Sequence, residues 1–202
     1  MKEKPILFSA PMVRAILEGR KTQTRRVIKP QPQRFFEVNE EPLYLYDVEW
    51  NLGSIYPKYQ PGDILWVRET WGILNLDYHP INVGNPNYPV IYVYKADHIT
   101  GNDGPERIKW RPSIHMPRSV ARLFLEVENV RAERLQEITE EDAKAEGCYC
   151  IYEAAIPFQR LAGQSFESVW DALYSNSGEQ WESNPWVWVV DFRRVQHGTT
   201  TS

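Results

Sequence analysis

A short helical pattern that runs directly into a dense basic segment constrains the fold of this chain most. The pattern has its apolar residues on one face, and Pro11 and Gly19 stand where a helix of this length would begin and end. After Gly19 the chain continues Arg-Lys-Thr-Gln-Thr-Arg-Arg over residues 20–26. The two threonines favour extended backbone. The sequence therefore predicts a docked helix followed, from a defined corner, by a basic strand.

Side chains of this basic strand would alternate between two faces. The alternation separates two sets: Thr22, Thr24 and Arg26 on one face, and Lys21, Gln23 and Arg25 on the other. One interpretation is a solvated edge strand whose charges prevent aggregation. The other is a functional site, because four cations, two hydroxyls and one amide are concentrated in this segment.

The overall composition is that of a globular protein without a general affinity for polyanions. The 202 residues carry a formal net charge of −4, and 42% of them are hydrophobic, which is enough for a substantial core. Cys148 and Cys150 are too close for an ordinary disulfide and lack a second pair for a zinc site. No signal peptide or membrane span is visible. We therefore expect a cytoplasmic, soluble monomer without metal or cofactor.

Further strands are predicted wherever β-prone or alternating residues recur. The predicted strands are 5–8, 44–50, 64–69, 90–95, 121–128 and 184–192. Arg68 and Glu69 end one of these strands, either as a structural ion pair or as part of a site. In the closing strand, four apolar side chains share one face: Trp186, Trp188, Val190 and Phe192.

Two more helices are predicted from capping and periodicity. Thr139 and Asp142 form a capping-box pattern that begins an acidic helix, and Gly147 can end it. Glu146 lies in its last turn, where the helix dipole disfavours a carboxylate, and this placement suggests a specific purpose. Later, apolar residues with helical spacing predict a helix packed on the core: Phe166, Val169, Trp170 and Leu173.

A polar loop over residues 110–118 is a further candidate for function. Two prolines bracket Ser113 and His115, and Arg118 follows the second proline. Rigid polar loops often carry functional side chains. A single histidine in such a loop can equally be a structural hydrogen-bonding residue.

Several of these motifs together resemble the ASCH family of the PUA-like superfamily. They are the basic segment 19–26, the Gly62-Asp63 turn before a strand, the acidic helix 139–147 and the closing aromatic strand. With the loop 110–118, the chain is similar to longer ASCH proteins of phages and prophages. The resemblance implies an α+β fold, a small PUA-like β-barrel flanked by short helices. We expect one domain over 1–196, with loop insertions near 30–60, 72–109 and 148–164 and a disordered tail over 197–202.

The resemblance also implies a function in nucleic-acid or nucleoside recognition. PUA-like barrels as a class bind RNA or modified nucleobases in a cleft. The basic segment is similar to that of a small bacterial ASCH branch that hydrolyses the amide of N4-acetylcytidine. This likeness implies catalytic roles for Lys21, Thr24 and Glu146, while Arg26 matches a further motif position.

The chemistry of these residues fits amide hydrolysis. The Thr24 hydroxyl needs a base, and a neutral Lys21 amine can serve. Neighbouring arginines would lower the pKa of Lys21, and Glu146 could pass a proton to the leaving amine. The residues expected to bind the substrate are cationic, polar or aromatic: Arg20, Arg26, Trp66, Arg68, Ser113, His115 and Arg118.

Two alternatives to the amidohydrolase stay open. The first is a non-catalytic module that binds RNA or a modified base, for which salt-dependent affinity is expected. The second is a metal-independent ribonuclease, with Lys21 and His115 as the acid–base groups.

Overall fold

The computed structural model describes residues 1–32, 35–38, 44–47, 53–74, 91–98, 108–148 and 162–196. Its strands are β1 (Glu3–Leu7), β2 (Gln23–Val27), β3 (Phe35–Val38), β4 (Tyr44–Asp47), β5 (Gly53–Ile55), β6 (Ile64–Arg68), β7 (Trp71–Leu74), β8 (Ile91–Tyr94), β9 (Ile108–Arg111), β10 (Phe124–Arg134) and β11 (Trp186–Val195). Its α-helices are α1 (Ala10–Leu17), α2 (Glu140–Ala145) and α3 (Ala162–Tyr174). The protein is thus a mixed α/β structure with a core rich in β-sheet.

A five-stranded sheet in the order β1-β6-β10-β11-β2 forms the centre of the fold. β1 pairs with β6 in parallel, and the other neighbours are antiparallel. β1 and β2 are the two edges, so the described strands form an open sheet. This mixed structure is compatible with the predicted α+β fold, while closure into a PUA-like barrel stays a prediction.

Two smaller sheets, β3-β4-β5 and β8-β7-β9, accompany the central one. They fall largely in the regions predicted as insertions near 30–60 and 72–109. The strands predicted near 44–50 and 90–95 are confirmed as β4 and β8. A loop insertion was expected near 72–109, but β9 begins within it at Ile108, because its residues pair with β7. The tail over 197–202, Cys150 and most of the insertion near 148–164 lie outside the described residues.

β11 is buried on both faces, which places it at the middle of the core. On one face, Trp188 and Val190 pack in a cluster that includes Val13 of α1. On the other face, Val187 and Val189 pack in a cluster with Phe166 and Trp170 of α3. Burying one such side chain stabilises the fold by about 1.5–3 kcal/mol. α1 and α3 therefore pack against opposite faces of β11.

Local signals for the first two helices are confirmed, and one feature of the third is wrong. Gly19 follows α1 with a φ of 74°, and Thr139 caps α2 through a reciprocal capping box with Asp142. In α3, however, Val169 and Leu173 are 42% and 54% exposed rather than part of the core. Only the side of α3 that carries Phe166 and Trp170 faces the sheet, and the other two side chains turn towards neighbouring cavities.

Candidate functional site

A cleft of about 780 Å³ is lined by residues from both edges of the central sheet. Leu7, the last residue of β1, and Phe8, which follows it, line the cleft from one edge of the sheet, and Arg26 of β2 lines it from the other. Trp188 and Val190 of β11 contribute apolar surface. The two edge strands, β1 and β2, do not pair with each other in the described structure. The cleft lies at the gap between them, which would be absent if the sheet closed into a barrel.

Arg26 links the two edges of the sheet across this cleft. Its Nη2 donates a hydrogen bond to the carbonyl oxygen of Leu7 at 3.0 Å, and its Nη1 donates to that of Arg25 at 3.2 Å. The guanidinium carbon lies 5.4 Å from the centre of the Phe8 ring. An edge strand has main-chain acceptors without a strand partner. The Arg26 side chain satisfies one of them and remains part of the cleft wall.

Arg68 and Lys58 bring further positive charge to the same cleft. The Arg68 guanidinium lies 5.5 Å from the centre of the Trp66 ring, and its buried Nε has no hydrogen-bond partner. Partial burial lowers the pKa of Lys58, and the charges of Arg26, Lys4 and Arg68 lower it further. No carboxylate is among the described residues that line the cleft, which is therefore electropositive.

Hydroxyl groups and aromatic rings complete the lining. Ser9, Thr70 and Ser113 contribute hydroxyls, and the largely buried rings of Phe8 and Trp188 contribute a small aromatic surface. Cations and hydroxyls bind anionic oxygen atoms, whereas aromatic rings stack on planar groups. The cleft can therefore accept a ligand that has both an anionic and a planar part.

Lys21 lies outside this cleft, in a buried polar network. Its Nζ donates to the main-chain oxygens of Gln23 at 2.7 Å and Glu146 at 3.0 Å, and to Glu146 Oε2 at 2.5 Å. Burial lowers the pKa of Lys21, the Glu146 carboxylate opposes this, and the charge of Arg26 lowers it further. The expected direction of the pKa shift is thus correct, but burial rather than the arginines is its main cause. All three N–H donors of the ammonium are occupied.

Arg25 extends the network on the same face of β2. Its buried guanidinium contacts the carboxylate of Glu133, that of Asp142 at 3.3 Å and that of Glu146 at 3.4 Å. It also donates to Gln23 Oε1 at 2.6 Å. The predicted alternation of side chains is therefore confirmed, and β2 is an edge strand. The interpretation as a solvated edge is wrong for Arg25, because Glu133, Asp142 of α2 and Glu146 after α2 surround its guanidinium, whereas Arg26 lines the cleft.

Thr24 and Glu146 line a recess of about 20 Å³ beside the cleft. Met12, Arg26 and Tyr174 line both the recess and the cleft, so the two are contiguous. A space of this size holds one water molecule. No hydrogen bond joins the Thr24 hydroxyl to the Lys21 ammonium in the part of the chain that the structure describes. The three residues expected to be catalytic are thus close in the fold but not assembled as a nucleophile and its base.

Cys148 also borders the recess, with its thiol in a half-buried position. Burial raises the pKa of Cys148 to about 11, Glu146 adds to the rise, and Lys21 opposes it. A thiol with such a pKa is protonated at neutral pH, and the thiolate is the nucleophilic form.

The residues expected to bind substrate divide into two groups. Arg26, Arg68 and Ser113 line the cleft. The other four do not line it. Arg20 donates to Glu18 and Gly147, and Arg118 pairs with Glu3. Trp66 lies against Arg68, and His115 is exposed. Arg68 and Glu69 do not pair with each other, since Glu69 pairs with Arg122 at 2.9 Å.

Sequence reasoning missed several residues of the cleft. Lys58 and Tyr59 fell within the predicted insertion near 30–60, although they directly precede the turn that begins β6. Trp188 was assigned to the core, and it does pack there while also facing the cleft. No local signal distinguishes a tryptophan that fills the core from one that forms the floor of an opening.

The chain matches no protein-family model, no curated protein and no solved structure. In the described ranges, His, Cys, Asp and Glu side chains form no group of three that could hold a metal ion. None of the helices that the structure describes is long and apolar enough to span a membrane.

Proposed function

We propose that the chain binds RNA or a modified nucleoside in the cleft between β1 and β2. One observation carries this proposal: Arg26, Lys58 and Arg68 line the same cleft as the aromatic rings of Phe8 and Trp188, in a protein of net charge −4. Phosphate oxygens would pair with the cations, and a base would contact the small exposed parts of the Phe8 and Trp188 rings, which are 3% and 6% exposed. The anionic surface elsewhere would discourage binding outside the cleft.

The proposal includes the ASCH resemblance and its PUA-like barrel. On this view, the central sheet is a barrel that is open between β1 and β2, with Arg26 spanning the opening. The cleft would then be the ligand site of the barrel, in a cytoplasmic, monomeric protein. This assignment rests on motif resemblance and on the position of the cleft at the two sheet edges.

Binding of a fluorescein-labelled single-stranded RNA, followed by anisotropy at several salt concentrations, tests the proposal. Arg68→Gln is expected to weaken binding and to reduce the slope of log K against log[salt] by about 0.7 for each phosphate that the variant no longer neutralises. Arg194→Gln is the matched control, because Arg194 is exposed on β11 and does not line the cleft. Equal effects of the two substitutions, or no binding of either RNA or modified nucleosides, would overturn the proposal.

Amide hydrolysis of an N4-acylated cytidine is the second candidate function. Thr24 and Glu146 line one recess that is contiguous with the cleft, and the pKa of the adjacent Lys21 is lowered. In this mechanism, the Thr24 hydroxyl attacks the amide carbonyl while Lys21 takes its proton. Glu146 accepts that proton from Lys21 and passes it to the departing cytidine amine, and water hydrolyses the acyl-threonine to release acetate. Before the attack, the Lys21 ammonium must lose one proton and leave at least one of its three oxygen acceptors.

Release of cytidine from N4-acetylcytidine, measured by chromatography, tests this second candidate. Thr24→Val is expected to abolish release, while Thr24→Ser retains part of it because the hydroxyl is preserved. Release that persists in both Thr24→Val and Lys21→Met would exclude the mechanism. The ribonuclease alternative has less support, since neither Lys21 nor His115 lines the cleft.

A further inference from the structure

One end of the cleft contains a hydrogen-bond donor that nothing in the described structure satisfies. Arg68 Nε is buried and lacks an acceptor, although the rest of the guanidinium packs over Trp66. A buried donor without an acceptor is costly, and native proteins normally pair such groups. Because Arg68 lines the cleft, a ligand oxygen there can accept from its guanidinium, and it reaches the inaccessible Nε once the side chain shifts.

The cations around this end also lack carboxylate partners. Among the described residues, Arg26, Lys58 and Arg68 form no ion pair, whereas the adjacent Lys4 is paired with Asp63 at 2.6 Å. The buried Arg25, by contrast, is surrounded by carboxylates. Cations of like charge that share one cavity repel each other. An anion with several oxygen atoms would relieve this repulsion at the three sites together.

The surrounding groups indicate which anion is suitable. Thr70 and Ser113 add hydroxyl donors to the lining that contains Arg68. A phosphate group has enough oxygen acceptors for guanidinium, ammonium and hydroxyl groups at once, and Arg is well suited to it. Phe8 and Trp188 line the same cleft, so a base that is linked to that phosphate can contact their rings.

We propose that the Lys58–Arg68 end of the cleft is a phosphate subsite, so that the ligand is a nucleotide rather than an uncharged nucleoside. This inference rests on the proposed function, which it narrows to phosphorylated ligands. The phosphate can belong to a free mononucleotide or to the backbone of a single-stranded RNA. Both sources supply the same anionic oxygens, and the experiment distinguishes them.

Isothermal titration calorimetry at constant ionic strength tests the subsite. The probes are inorganic phosphate, the four ribonucleoside 5′-monophosphates, the corresponding nucleosides and a short single-stranded RNA. A phosphorylated probe is expected to bind at least about tenfold more tightly than its nucleoside, since charge-assisted hydrogen bonds are among the strong ones. In Arg68→Gln and Lys58→Gln this preference is expected to shrink about tenfold, while Arg194→Gln keeps it. Near-ultraviolet circular dichroism checks that each variant is folded.

The outcomes separate failure of the subsite from failure of the proposed function. If nucleosides bind as tightly as their monophosphates and the variants change neither, the subsite is wrong while nucleoside recognition stands. If inorganic phosphate binds in an Arg68-dependent way but no nucleoside, nucleotide or RNA does, the subsite stands and the proposed function fails. Tight binding of RNA alone assigns the subsite to a backbone phosphate, and tight binding of a monophosphate assigns it to a free nucleotide. Absence of any binding overturns both.

Discussion

Lys21 and Glu146 are joined both through their main chains and through their side chains, although 125 positions separate them. Their backbones form an isolated β-bridge, and Lys21 Nζ lies 2.5 Å from Glu146 Oε2. The same ammonium donates to the main-chain oxygen of Glu146 at 3.0 Å. A cation at the end of α2 is favoured by the helix dipole, and a carboxylate there is not. Lys21 therefore stabilises both the helix end and the carboxylate placed against it.

Glu146→Gln is expected to destabilise the protein more than Lys21→Met. Loss of the carboxylate leaves the buried Lys21 ammonium without its ion pair and removes one partner of Arg25, so the free energy of unfolding should fall by about 3–5 kcal/mol. Lys21→Met leaves Glu146 paired with Arg25 and replaces the lysine with an apolar side chain of similar size. Urea unfolding of both single variants and the double variant measures the two losses and their coupling. Equal losses of unfolding free energy in the two single variants would show that the ion pair with Arg25 does not stabilise the Glu146 carboxylate when Lys21 is replaced.

Gly147→Ala is expected to cost more stability than Gly19→Ala. Both glycines follow a helix with positive φ, 87° and 74°, and a non-glycine residue there loses about 1–2 kcal/mol. A Cβ on Gly147 would lie 2.9 Å from Ala15 Cβ and 3.2 Å from Lys21 Cβ, whereas a Cβ on Gly19 meets nothing within 4 Å. Overpacking adds about 1–3 kcal/mol at Gly147 alone. Unfolding free energies of the two variants check this. A difference near zero would mean that Ala15 and Lys21 move away from the added Cβ at no cost in stability.

Asp63 is expected to stabilise the fold at neutral pH and to lose this effect in acid. Its carboxylate accepts hydrogen bonds from Lys4 Nζ at 2.6 Å and from the main-chain nitrogens of Gln60 and Lys2 at 3.0 and 3.2 Å. Burial alone would raise the pKa of Asp63, but these contacts outweigh it and hold the pKa below its ordinary value. The contribution is therefore present above the unfolded pKa of about 3.9 and is lost as pH falls through the folded pKa.

Comparison of wild type with Asp63→Asn between pH 3 and pH 7 measures this effect. The variant should be less stable at neutral pH, and the difference in unfolding free energy should shrink towards the acid end. A difference that stays constant over the whole range would mean that the carboxylate charge is not involved. Glu128→Gln, at an exposed position of β10, serves as a control for removal of a single surface charge.

Features governed by nearby residues could be predicted from the sequence. The end of α1 just before Gly19, the capping of α2 by Thr139 and the alternation along β2 all depend on neighbours within a few positions. Position alone also marked Glu146 as unusual, because a carboxylate at a helix C-terminus calls for a compensating partner. That partner, Lys21, was expected to be a base, and the fold instead surrounds its ammonium with oxygen acceptors.

The cleft could not be predicted in the same way because it depends on how distant strands come together. Arg68 of β6 and Trp188 of β11 meet there through the order of the central sheet, and Lys58 lies in the segment that precedes β6. Helical periodicity also fails to distinguish a side chain in the core from one beside a cavity, which is why Val169 and Leu173 were misassigned. Such positions are decided by which face of α3 contacts β11.

Affinity of the cleft for a nucleotide is expected to fall as pH rises above neutrality. Partial burial lowers the pKa of Lys58, and Arg26, Lys4 and Arg68 lower it further, so its positive charge is lost earlier than that of an ordinary lysine. The phosphate charge is constant in this range, since its second pKa is about 6. Titrations between pH 7.5 and about 10 check the prediction, with Lys58→Arg as the matched variant because arginine keeps its charge. Burial raises the pKa of the neighbouring Tyr59, which delays its ionisation. An equal fall in affinity in wild type and Lys58→Arg would show that Lys58 does not hold the anion.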